Sequence, residues 1–197
     1  MAEGELSFDP ASTVLVLVDL QNFTLALETV PHPTSKVLAN SIRLAEACRR
    51  AGILVVLVRV GHDDNKMPHP SPKTDASFGG FQQGPEAKEI PPELGPRPGD
   101  VIVDKYNWGA FHGTNLDTHL RRRGIDTLIV GGLTTNVGVD TTMRQAQERG
   151  YHQVLVEDAA AAMSPEEHDY VLRIIAPRLS RVRRTEEVLQ AIERTRS

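Results

Sequence analysis

Three stretches of this chain are apolar without alternation. Thr13 to Val18 reads TVLVLV, Ile53 to Val60 reads ILVVLVRV, and Thr127 to Val130 reads TLIV. A strand with one wet face alternates apolar and polar side chains, whereas a strand covered on both faces keeps no polar side. Such runs predict central strands of a parallel sheet with helices packed above and below it.

Helical patterns separate the runs. Thr34-Ser35 opens one in which Val37, Leu38, Ile42, Leu44, Ala45 and Ala47 are apolar. It closes at Arg49-Arg50-Ala51-Gly52, basic residues and then glycine, as a helix C-terminus prefers. Leu116 to Arg123 follows Thr114 or Asn115 as cap, and an amphipathic stretch ends at Gly150. Ser164-Pro165-Glu166-Glu167 starts a helix that runs to about Ile175, and Thr185 to Ile192 forms a last one. Shorter strands are expected at Asp100 to Asp104, at His152 to Glu157 and around Val182. Strands that alternate with helices in this way make an α/β protein, and residues 1–197 are read as one domain.

Composition narrows the function. The net charge of -4 opposes a non-specific grip on nucleic acid. No apolar run is long enough to span a membrane, and MAEGELSFDPAST lacks a basic segment followed by an apolar core. One cysteine, Cys48, excludes an internal disulfide and a cysteine-rich metal site, and its place inside a helix reads as a core position. A cytoplasmic protein acting on a small molecule fits these features, with no metal or other cofactor expected.

The candidate chemistry lies where strands end. Asp19 follows the first run, Lys105 follows the strand at 100–104, and the glycine-rich turn GGLTTNVGV, Gly131 to Val139, follows the run at 127–130. Each alone has a plain structural reading: a capping acid, a surface lysine, a close-packed turn. Together they converge on the C-terminal ends of the strands, where open α/β sheets place their ligand crevice. An aromatic loop beside Lys105 holds Trp108 and Phe111, and Phe23 lies just beyond Asp19; these three are the expected pocket walls. Residues 62–99 hold most of the prolines and read as a flap over the site or a subunit contact. His62, Asp63, Asp64 and His69 in that loop lack a second cluster at ligand spacing, so a solvated loop is the better reading than a metal site.

The chain resembles the isochorismatase-like hydrolase family, through VLVLVDLQNF, then DKYNWGAFHGTNLDTHLRRRGIDTLIVGGLTTNVGVDTTMRQAQERGY, then VLVEDAAAA. The resemblance implies a Rossmann-like three-layer sandwich, with a six-stranded, mostly parallel sheet and helices on both faces. It also implies a homo-oligomer, a dimer or tetramer. Most of the family uses an Asp–Lys–Cys triad, and Asp19 and Lys105 match its first two members. Gly138 stands where the cysteine belongs, so a covalent acyl-enzyme is impossible at that residue. True isochorismatases resemble this chain in having glycine there, and they cleave a vinyl ether without a protein nucleophile. By that resemblance Asp19 is the general acid and Lys105 holds a substrate carboxylate or the developing charge. The resemblance also implies a cis peptide before Thr134, with the Leu133–Thr134 turn and Gly138 offering backbone amides to the ligand. The chain departs from true isochorismatases after its second strand, where Gly61-His62-Asp63-Asp64 replaces their Gln and Arg. The expected function is hydrolysis of a small vinyl ether. The alternatives are an amide hydrolase that activates water and a non-catalytic ligand-binding protein.

Overall fold

The computed structural model describes residues 5–61, 73–76, 84 and 86–195. Six strands form one sheet: β1 (Thr13–Val18), β2 (Leu54–Val60), β3 (Val101–Lys105), β4 (Thr127–Leu133), β5 (His152–Ala161) and β6 (Arg181–Arg183). Their order is β3-β2-β1-β4-β5-β6, and every pairing is parallel.

The unbroken apolar runs form the middle of this sheet. Leu15, Leu17, Val55 and Leu57 face one core, against α2 (Thr34–Ala51) and α7 (Thr185–Arg194). Val14, Val16, Val18, Val56 and Val58 face the other, against α3 (Leu116–Arg121) and α4 (Asp140–Glu148). Successive side chains of a strand point to opposite faces, so a strand between two helical layers needs apolar residues at every position. The three-layer reading of the sequence is the observed one. Cys48 is fully buried in the α2 core, where burial pushes its thiol pKa up to about 12.

Several boundaries differ from the sequence reading. A short helix, α1 (Asn22–Leu25), follows Asp19 directly. β4 runs past Val130 to Leu133, and β5 runs past Glu157 to Ala161. The two extensions pair across an irregularity: Val130 is opposite Leu155, yet Gly132 is opposite Ala160. The periodic signal stops there because small residues, Gly131, Gly132 and Ala159 to Ala161, carry the pairing. Gly132 has φ 125 and passes so close to β1 that a Cβ would lie 2.1 Å from the Val18 carbonyl oxygen. Beyond Pro165–Tyr170 (α5), a π-turn at Val171–Ile175 and α6 (Ala176–Leu179) replace the single helix expected to about Ile175.

Of the long 62–99 stretch, His62, Asp63, Asp64 and His69 lie outside the described residues. Residues 86–89 are tied to the site end of β1. The Gln21 amide donates to the Val60 and Lys88 carbonyls, and the Asn22 amide to the Glu86 carbonyl. Among the described residues no helix is long and apolar enough to cross a membrane, and no group of three or more metal-ligating side chains occurs.

Candidate functional site

The strand order reverses between β1 and β4, and such a switch point opens a crevice at the C-terminal strand ends. Asp19 leaves β1 there and the glycine-rich turn leaves β4. Lys105, the last residue of β3, reaches the same rim from two strands away.

Asp19 is held in a conformation that L-residues seldom adopt, with φ 52. Its backbone N–H donates to the Val58 carbonyl, and its own carbonyl accepts from the Thr24 hydroxyl. These contacts aim the carboxyl across the top of the sheet. Asp19 is 7% exposed and Lys105 is 3% exposed, and the ammonium lies 2.8 Å from Oδ2. The other oxygen, Oδ1, is buried with no hydrogen-bond partner among the described residues. Burial favours the neutral acid and pushes the Asp19 pKa up to about 6, against the opposing pull of Lys105.

Lys105 is already committed. Besides Asp19, its ammonium donates to the Asn107 carbonyl at 3.1 Å and the Trp108 carbonyl at 3.0 Å. An ammonium has three protons, and all three have acceptors here. In this arrangement Lys105 orients Asp19 and the aromatic loop.

The turn takes an unusual form. The Leu133–Thr134 peptide is cis, as the family resemblance implied. Thr135–Val139 then makes one π-helical turn before α4, and the Thr134 carbonyl accepts from the N–H groups of both Val137 and Val139. Single π-turns recur at functional sites because they re-aim the residues they carry. Gly138 lies directly under the carboxyl. A Cβ built on it would sit 3.0 Å from Asp19 Oδ2, 3.0 Å from Val18 Cγ1 and 3.2 Å from the Leu133 carbonyl oxygen. The Leu133 side chain itself is 1% exposed within the α2 core, so only its backbone borders the site.

The expected aromatic walls divide. Trp108 is 56% exposed on the loop beside Lys105, and Phe23 is half-buried on α1. Phe111 is not a wall. It is buried in the α4-side core, with its ring centroid 5.7 Å from that of Tyr151 and the Arg149 guanidinium over its face. The spacing of aromatic residues in a loop did not reveal which ring turns inward, because that depends on the helix beneath.

Other residues of the site carry no sequence motif. The Thr142 hydroxyl donates to the Gly138 carbonyl at 2.6 Å and accepts from the Ala110 N–H at 3.1 Å, joining the turn to the Lys105 loop. Gln145, one turn on, accepts from the N–H groups of Phe111 and His112. The buried Thr135 hydroxyl pairs with the ring of His168 at 2.9 Å, and burial lowers that histidine's pKa. Asn136 Oδ1 is buried without a partner among the described residues. A polar side chain in a glycine-rich turn is the signal that could have drawn notice to Asn136.

Comparison with known proteins gives the family. Residues 13–187 match the isochorismatase domain model. The chain is 37% identical over 189 residues to the uncharacterized isochorismatase family protein YwoC of Bacillus subtilis, covering 95% of this chain and 98% of that one. It is 31% identical over 185 residues to the ureidoacrylate amidohydrolase RutB of Methylobacterium radiotolerans, covering 82% of this chain and 71% of that one. The structure of an isochorismatase family protein from Burkholderia thailandensis superposes with a TM-score of 0.89 at 36% identity, over 95% of this chain and 98% of that one. The fold, the reversal of strand order beneath Asp19, and these likenesses agree: the chain belongs to the isochorismatase family and is a hydrolase.

Proposed function

We propose that the protein hydrolyses a small vinyl ether without a protein nucleophile, with Asp19 as the proton donor. The observation that supports this reading is the state of the Asp19 carboxyl: buried, with a pKa pushed up to about 6, and with one oxygen unpartnered among the described residues. A carboxyl of ordinary acidity is almost wholly ionised near neutrality and makes a poor acid; this one retains a proton over part of the physiological range. Gly138 offers no side chain for attack, and Cys48 is sequestered in the core.

The reaction follows from these groups. Asp19 gives its proton to the enol-ether carbon, and the ether oxygen shares the resulting positive charge. Water adds to the oxocarbenium carbon and loses a proton, and the hemiketal collapses to a ketone and an alcohol. The proton released by water restores the Asp19 acid. Between these events the carboxylate lies against Lys105, which stabilises it. The Thr134 and Gly138 amides, at the N-terminal turn before α4, hold an anionic or carbonyl oxygen of the substrate and so place the enol-ether carbon against Asp19. Trp108 and Phe23 flank the ligand.

A second reading has its own support in the likeness to RutB, which is named as an amidohydrolase. In it, ionised Asp19 draws a proton from water that attacks an amide, and the turn amides hold the oxyanion. The pH dependence separates the two. A proton donor is active when protonated, so kcat/KM falls as pH rises through about 6. A base is active when ionised, so kcat/KM rises through the same range. Initial rates with isochorismate and with ureidoacrylate, from pH 4.5 to pH 8.5, supply the test. Turnover of isochorismate with a falling limb supports the first reading. Turnover of the amide alone, with a rising limb, replaces it by the second. Turnover of neither overturns both in favour of a ligand-binding role.

A further inference from the structure

The Lys105 loop is held from both sides. Its carbonyls at Asn107 and Trp108 accept from the Lys105 ammonium. Its next amides face the other way, onto α4: Ala110 N–H to Thr142, and Phe111 and His112 N–H to the single oxygen Gln145 Oε1, at 3.0 and 3.3 Å. Two successive N–H groups converging on one acceptor fix the direction of the backbone between them. The fit is close: a Cβ on Gly109 would sit 2.3 Å from that same oxygen. A side chain at position 109 would push the Gln145 amide aside.

We propose that Gln145 is a positioning residue, which sets where the Lys105 ammonium meets Asp19 by fixing the loop that supplies its other two acceptors. Gln145 touches neither reacting group. It acts through Phe111 and His112 to the carbonyls of Asn107 and Trp108, and through these to Lys105. If the loop lifts from α4, Lys105 loses two acceptors and commits to Asp19, and water reaches the carboxyl. Both changes favour the ionised acid, so the Asp19 pKa falls from about 6 toward its ordinary value.

Three variants test this, and Trp108, the only tryptophan in the chain, reports on the loop directly. Gln145→Leu removes the acceptor. Gln145→Glu keeps an oxygen at the same reach. Gly109→Ala leaves Gln145 in place but pushes its amide aside from the loop side. The readouts are Trp108 fluorescence anisotropy, Asp19 titration followed by carbon-13 carboxyl NMR, and kcat against pH. Only the last rests on the reading of Asp19 as the proton donor; the first two decide the proposal even if no substrate is turned over. Gln145→Leu and Gly109→Ala are each expected to lower the anisotropy and move the Asp19 titration to lower pH. The kcat of each should fall about tenfold to a hundredfold, the cost of a misplaced catalytic contact. Gln145→Glu should match the parent protein in all three, and the double variant Gly109→Ala/Gln145→Leu should be no worse than either single one. The proposal is overturned if Gln145→Leu leaves the anisotropy and the Asp19 titration unchanged. It is equally overturned if Gln145→Glu is as damaging as Gln145→Leu, since the side chain would then act by packing and not by accepting hydrogen bonds.

Discussion

Two ion pairs, one part-buried and one buried, lie at opposite ends of β3, and they are built differently. Asp100, just before the strand, meets Arg49 at 2.7 Å; Lys105, its last residue, meets Asp19 at 2.8 Å. At the first pair both carboxylate oxygens are bonded. Arg49 reaches both oxygens of Asp100, the Arg97 N–H adds another bond to Oδ2, and a spare guanidinium proton goes to the Leu94 carbonyl. At the second pair the cation is saturated and the acid is not: Asp19 keeps one buried oxygen without a partner among the described residues. A complete pair fixes loops, here the end of α2 to the turn before β3. An incomplete pair costs desolvation that the protein does not recover internally, and this cost is what raises the Asp19 pKa. The comparison teaches that burial and ion pairing alone do not set the two apart; the difference is an acid of the pair that keeps a buried oxygen without a partner among the described residues.

The sharpest way to break this comparison is to neutralise each acid. Asp19→Asn should lower kcat about 10²- to 10⁴-fold, the usual worth of a positioned acid or base, in steady-state assays. Asp100→Asn should leave kcat unchanged and lower the melting temperature. Equal effects on turnover would erase the distinction.

Removing the cations comes next. Lys105→Met and Arg49→Met should each cost about 3–5 kcal/mol in urea unfolding, since each leaves a buried carboxylate unpaired. For Lys105→Met the loss depends on pH with a definite sign. Without the cation the folded-state pKa of Asp19 rises still further above its ordinary 3.8. A raised pKa gives stability that is complete below the unfolded value and is lost as pH rises through the folded one. Lys105→Met should therefore be less damaging at pH 5 than at pH 8, and a loss that is the same at both would contradict the assigned burial of Asp19.

The smallest effect is expected at Gly138. Gly138→Ala places a methyl group 3.0 Å from Asp19 Oδ2 and Val18 Cγ1, and crowding of this kind costs about 1–3 kcal/mol. The carboxyl must shift against Lys105, so turnover should fall, though less than in Asp19→Asn. Full turnover with unchanged stability would show that the site has room there.

Much of this was legible in the residues. Strands packed on both faces carry apolar residues on both sides, so the near-continuous runs TVLVLV, ILVVLVRV and TLIV announced a parallel sheet between helices. Strand ends in such a sheet are where side chains escape the core, so Asp19, Lys105 and the 131–139 turn could be singled out. Their meeting across β1, β4 and β3 required the strand order. The extensions of β4 and β5 were illegible because glycine and alanine carry no hydrophobic period. Gln145 was illegible for another reason: on α4 it is one more polar residue, and only the loop folded over it gives it a partner.

The sequence by itself determined the layers, the strand ends and the absence of a side chain at position 138, because burial on both faces and residue identity are local properties. The tertiary structure alone decided that Phe111 turns into the core, that Lys105 has no proton to spare, and that one oxygen of Asp19 is buried without a partner among the described residues. Each of those depends on which groups from distant segments occupy the last few ångströms around an atom, and no pattern along the chain encodes that distance.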